Sequence, residues 1–233
     1  MTPPRWILLA LCAVLPALAW RLGGASLWYV LLLGYGVAAA LAAWALAQDD
    51  QLKAALVPRS GDASLGLLPA MVLFALVSFL VTRVLAPLPE LRYFTPDGPW
   101  VGRADPHGFQ ALTEWLRERA CAAMGRSWAI HGSARVAFVL AIAALEEITW
   151  RGGVQQGLAE RFGSTRGWLL TSALYALAQL GTGNPALALL ALPCGLLWGA
   201  MFRFRGRLAP AMLSHALFSW ALFAHSSSPF VAR

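Results

Sequence analysis

The sequence predicts an all-α fold: a polytopic bundle of about seven transmembrane helices, with room for an eighth. Three observations predict it. Of 233 residues, 59% are hydrophobic and 12% charged, against roughly 45–50% and 25% in a soluble domain; the mean hydropathy is +0.61. Apolar runs recur along the chain at close to the roughly 20 residues that cross a bilayer. The basic residues, 17 Arg and the single Lys53, gather between these runs. The composition excludes disorder, which needs few apolar residues and many charges. The net charge of +7 would suggest nucleic acid in a soluble chain, but membrane proteins concentrate basic residues in cytoplasmic loops, so no nucleic-acid partner is expected. Cys12, Cys121 and Cys194 are odd in number and far apart, which gives neither a disulfide framework nor a zinc knuckle.

The first span is residues 6–20, bracketed by Arg5 and Arg21. A basic start before a short apolar run also suits a signal peptide, but Trp20–Arg21 reads as an interfacial anchor and further spans follow. The second span is 27–47. The third is 65–88, with Arg83 near its end able to snorkel. Pro87, Pro89, Pro96, Pro99 and Pro106 then break regular structure. Within this long polar stretch, Phe109, Leu112, Leu116 and Ala120 recur at helical spacing while Glu114, Arg117, Glu118 and Arg119 fall largely elsewhere. Residues 109–124 therefore predict an amphipathic helix, lying in the interface or packed on the bundle. The fourth span, 134–151, runs on to about 162; the fifth is 167–180, the sixth 185–202 and the seventh 208–224. This divides the chain into an N-terminal region (1–133), a helical core (134–225) and a short tail (226–233). Arg161 and Arg166, and Arg203, Arg205 and Arg207, mark two loops as cytoplasmic. Counting back puts the N-terminus inside and the C-terminus outside.

The fourth span carries the unusual chemistry: Glu146-Glu147-Ile-Thr-Trp150-Arg151-Gly-Gly. A carboxylate at a helix centre costs roughly 2.5–3.5 kcal/mol on insertion scales, and such residues face a bundle interior or a watery cavity. Glu147 and Arg151 are four apart and share a face; Glu146 points about 100° away. Arg151 can neutralise one carboxylate while the other stays free to act as a general base. The fifth span has Tyr175 and Gln179 four apart, a pair that also serves as helix-packing glue. The seventh has His215 and Ser219 four apart, two donors able to hold an oxyanion. Ser219 as nucleophile is poorly served by a base on its own helix, and no GxSxG elbow exists. Glu146, Glu147 and His215 could meet at a metal, but HExxH is absent and histidines usually dominate catalytic zinc sites. No metal is expected.

Glu146-Glu147-x-x-x-Arg151, then Tyr175-x-x-x-Gln179, then His215-x-x-x-Ser219, resembles the CPBP family. These are the CAAX-protease and bacteriocin-processing (Abi) intramembrane endopeptidases of glutamic type. Residues 194–199, Cys-Gly-Leu-Leu-Trp-Gly, look like the family's small-residue helix, in which Gly195 and Gly199 would let helices approach closely. The resemblance covers about 134–225. It implies Glu146 as the base that activates water, Glu147 and Arg151 shaping the site, His215 as an oxyanion donor, and Tyr175 and Trp150 against the substrate. The family's second-motif His is Gln179 here, and its third-motif Asn is Ser219. Gln179 can orient a water but cannot take its proton; Ser219 can donate over a shorter reach. Trp150-Arg151-Gly152 is similar to branches proposed to act on C-terminal sorting tails in the manner of myxosortases. The resemblance implies an integral membrane endopeptidase of the bacterial cytoplasmic membrane. It would need no cofactor and act on a membrane-associated protein or peptide within the lipid bilayer. Two other readings stay open. One is an inactive family member that serves as a membrane binding or maturation partner. The other is a small proton-coupled transporter, which the lack of inverted repeats and paired broken helices disfavours.

Overall fold

The computed structural model describes residues 3–22, 27–46, 51–79, 133–182 and 185–224. Among these the regular structure is entirely helical, which is the predicted class. The elements are α1 (Pro3–Leu22), α2 (Leu27–Leu46), α3 (Gln51–Leu56), α4 (Asp62–Phe79) and α5 (Ser133–Glu147). A π-helical segment (Ile148–Gln155) continues α5 and leads into α6 (Gln156–Phe162). Then come α7 (Ser164–Ala178), a 3₁₀ turn (Gln179–Thr182), α8 (Pro185–Arg205) and α9 (Ala209–Ala224). The predicted amphipathic helix 109–124, Arg83 and the tail 226–233 lie outside the described residues.

Two elements differ from the expectation. The short α3 has too few apolar residues to register as a span and was not predicted. The fourth span is not a plain α-helix, because its motif winds as a π segment. Alanine-rich faces pack α1 on α2, and α2 packs in turn on α5 and the π segment. α7 lies along α8, and α9 lies between α4 and α5. Ala188–Arg205 is long and apolar enough to cross a membrane by length and composition, at mean hydropathy 1.2. Ala10–Ala19, Tyr29–Trp44 and Asp62–Leu76 are shorter apolar helices. Outward faces are apolar as well: Leu67, Leu68, Met71 and Val72 on α4, and Leu169, Leu170 and Leu177 on α7, are exposed. Contiguous apolar surface of this kind is rare on soluble monomers and marks an interaction or membrane face.

Glycine makes the connections at one end. Gly163 (φ 86°) and Gly206 (φ 63°) adopt the left-handed backbone that side chains avoid. They separate α6 from α7 and α8 from α9. Three connecting segments meet there. Arg203 donates through Nε to Ser164 Oγ (3.2 Å) and through Nη2 to Thr165 Oγ1 (2.8 Å). Arg207 pairs with Asp62 at the start of α4, and the Leu208 N–H donates to the Ala55 carbonyl at 2.8 Å. Burial pushes the Asp62 carboxyl up, but the Arg59 backbone N–H (2.8 Å) and the Arg207 guanidinium outweigh it and hold the group below the usual carboxylate range.

Candidate active site

The site forms where the end of α5 and the π segment meet α7, α8 and α9. Its local sequence explains the widened turn. Thr149 Oγ1 donates back to the Leu145 carbonyl (2.8 Å), a bond that loosens a helix. The following Gly152–Gly153 pair lowers the cost of leaving α geometry. Gly153 also lets α2 in, since a Cβ there would stand 2.7 Å from Ala42 Cβ. π turns occur mostly as single-turn insertions at functional sites.

All but one of the residues Ile148–Gln155 are buried. Glu147 Oε1 receives Arg151 Nη1 at 3.1 Å and His215 Nδ1 at 2.8 Å. Arg151 is fully buried and also points Nη2 to the Gly195 carbonyl at 3.4 Å. Four residues on, Gln155 Nε2 donates to the Gly199 carbonyl at 2.8 Å. The glycines ease this approach: a Cβ on Gly195 would press on Tyr175 Cδ1 at 3.2 Å, and one on Gly199 would clash with Trp168 Cδ1 at 2.6 Å. The expectation of close packing at Gly195 and Gly199 is met.

Glu146 lies on the other side of the His215 ring. Tyr175 donates its hydroxyl to Glu146 Oε2 at 3.1 Å, and His215 Nε2 stands 3.7 Å from the same oxygen. One imidazole therefore lies between two carboxylates. Tyr35 of α2, with no exposed surface, adds a second phenol beside Glu146. Trp150 is fully buried, with its ring edge on Tyr175 (centroids 5.5 Å apart). Arg151 Cζ sits 4.8 Å over the Tyr175 ring and 5.5 Å over Trp198. Gln179 is buried at the first position of the 3₁₀ turn, one turn beyond Tyr175. Ser219 is half-buried, one turn beyond His215 on α9.

The serine engaged with the aromatic wall is another one. Trp198 Nε1 donates to Ser214 Oγ at 3.1 Å, and the Trp198 indole stacks on His215 at 3.9 Å between centroids. Sequence reasoning missed Ser214, Trp198, Gln155 and Tyr35. Gln155 had a visible signal, as the third polar residue in the four-residue stripe from Glu147 through Arg151. Tyr35 had one too, a phenol between Gly34 and Gly36 in an otherwise apolar run.

Chemically, the cluster offers a carboxylate, Glu146, that accepts from the Tyr175 phenol, and an imidazole held against a second carboxylate that is paired with Arg151. Residues 128–221 match the family described as type II CAAX prenyl endopeptidase Rce1-like. No curated protein and no solved structure matches the chain. The matched stretch contains Glu146, Glu147, Arg151, Tyr175, Gln179, His215 and Ser219. The match supports assigning residues 128–221 to the CPBP family, an integral membrane protease family of CAAX type.

Proposed function

We propose that the chain is a glutamic-type intramembrane endopeptidase of a bacterial cytoplasmic membrane. It would hydrolyse a peptide bond in a membrane-associated protein or peptide. The observation that carries this reading is His215 between two carboxylates, with Nδ1 2.8 Å from Glu147 and Nε2 3.7 Å from Glu146.

Glu147 is paired with Arg151 and, ionised, can only accept, so His215 Nδ1 carries a hydrogen. In neutral His215 the single N–H is then spent on Glu147, and Nε2 is a lone pair turned toward Glu146. The oxyanion role implied by the resemblance therefore needs a protonated ring. A water at Glu146 would lose its proton to the Glu146/His215 pair as its oxygen attacks the carbonyl carbon. The proton on Nε2 makes His215 a donor to the tetrahedral oxyanion. Collapse breaks the C–N bond, and the proton passes to the leaving amine, leaving a carboxylic acid and a free amine. Glu147 accepts from the imidazolium through Oε1, and Arg151 holds that carboxylate in place. Gln179 contributes orientation of the water, and Ser219 a further donor on the α9 face.

The test compares chain ends of membrane proteins by mass spectrometry in the native host, wild type against Glu146→Gln. General-base catalysis contributes about 10²–10⁴-fold, so ends made by this protein should fall by that order. If no chain end depends on Glu146, the protease reading is lost. The second reading, a binding or maturation partner, is favoured by Gln179 and would then stand, provided the biological effect of the protein survives Glu146→Gln.

A further inference from the structure

Trp198 lies on α8 within the small-residue run that brings helices together, and a bulky indole there is out of keeping with that packing. It is almost wholly buried and held from several directions. Its Nε1–H donates to Ser214 Oγ, itself fully buried, at 3.1 Å. Its face carries the His215 ring, with centroids 3.9 Å apart and planes inclined by 17°. Phe218 and Tyr175 close on it edgewise at 6.0 and 6.3 Å.

Ser214 and His215 are consecutive on α9, so one helix holds both the polar edge and the face of a single indole. That coupling has a geometric consequence. A near-parallel stack fixes the plane of the imidazole. Within that plane the ring can still flip, exchanging nitrogen for carbon. The 2.8 Å bond from Nδ1 to Glu147 selects one of the two flips, and Nε2 is then forced toward Glu146. The stack removes one rotation and the carboxylate removes the other. A ring that becomes cationic in mid-reaction also gains from the indole's negative face.

We propose that Trp198 and Ser214 are positioning residues that lock His215 in the orientation presenting Nε2 to Glu146. Trp198 acts through His215, and Ser214 acts through Trp198. The orientation stands on the geometry alone; its effect on catalysis rests on the protease reading above.

The test has two readouts on the full-length protein. The first needs no substrate. The chain has four histidines, so histidine labelled with ¹⁵N and ¹³C in detergent micelles gives a few imidazole signals, and His215→Gln assigns the one that matters. Stacking on indole shifts its ring protons upfield. Trp198→Leu should abolish that displacement, Trp198→Phe should keep part of it, and Ser214→Ala should move it in a protein that melts close to wild type. The second readout is the yield of Glu146-dependent chain ends. A displacement of about 1 Å in a catalytic group costs about 10²-fold, so Trp198→Leu should lose up to that factor and Trp198→Phe should recover much of it. If Trp198→Leu does not fold, Ser214→Ala and Trp198→Phe decide on their own. His215 signals unmoved in the folded variants overturn the clamp. Unmoved yields, where Glu146→Gln abolishes the ends, overturn its catalytic role. Ends that ignore Glu146→Gln refute the protease reading, while the imidazole signals still decide the clamp.

Discussion

His215 Nδ1 lies 2.8 Å from Glu147 Oε1, closer than Arg151, the charged residue that shares that oxygen at 3.1 Å. The ion pair on one helix is thus the platform on which a second helix sets its imidazole. Losing any of the three groups should be felt by the other two.

Arg151→Met leaves Glu147 buried beside His215 without its cation. Breaking a buried pair by removing one partner costs about 3–5 kcal/mol. Thermal unfolding in detergent should show a loss of that order, and the double variant Glu147→Gln/Arg151→Met should lose less than the single one. A milder single variant would mean the pair is not the platform described.

Tyr175→Phe removes the donor to Glu146 Oε2 and little else, because the ring keeps its contacts with Trp150 and Trp198. A hydrogen bond to a charged group is worth about 1.5–3 kcal/mol. Melting in detergent should show a loss of that order, and the yield of Glu146-dependent chain ends should fall with it.

Gln179→His places a proton acceptor at a position whose amide, in the proposed mechanism, only orients the water. Cleavage should rise, by up to about 10²-fold, in a comparison of chain-end yields at equal expression. An unchanged yield would mean that position 179 takes no part in moving the proton.

Close approach makes a contrast between glycines. A Cβ on Gly167 would lie 2.5 Å from the Ala159 backbone N, whereas one on Gly36 would meet nothing within 4 Å. Gly167→Ala should cost about 1–3 kcal/mol as overpacking. Gly36→Ala, in the middle of α2, should be neutral or stabilising. Melting curves of the two variants settle the comparison.

The Asp62–Arg207 pair gives a pH signature. The folded carboxyl is depressed, so its contribution is present above the unfolded value of about 3.9 and fades as pH falls through the lower folded value. Stability measured from pH 6 downward should drop more steeply in wild type than in Asp62→Asn. Equal slopes would place the acid loss elsewhere.

The fold class was legible because apolar runs and Arg-bearing loops follow from what a bilayer tolerates, and because i,i+4 spacing puts Glu147 beside Arg151 whichever helical form is used. The winding itself was not legible. Thr149 back-bonding and a glycine pair permit a π turn without demanding one, and tertiary packing decides. His215 stood out as the one titratable group in an apolar run, but Trp198 and Ser214 did not. Their meaning is a contact between two helices, 16 positions apart, and nothing in local periodicity encodes which face of one meets the other. Tyr35 carried a local signal between Gly34 and Gly36, but its partner Glu146 lies too far along the chain for periodicity to name it.

Arg151 and Gln155 both reach across to α8, and both end on main-chain oxygens, those of Gly195 and Gly199. A carbonyl cannot be deleted by changing its residue. Most point mutations on that stretch of α8 would leave the acceptors in place and act only by adding bulk. The docking of the two helices is therefore robust to chemical substitution and fragile to size. Drift at positions 195 and 199 is confined by volume, while Arg151 and Gln155 remain free to be tested by selection for what they donate.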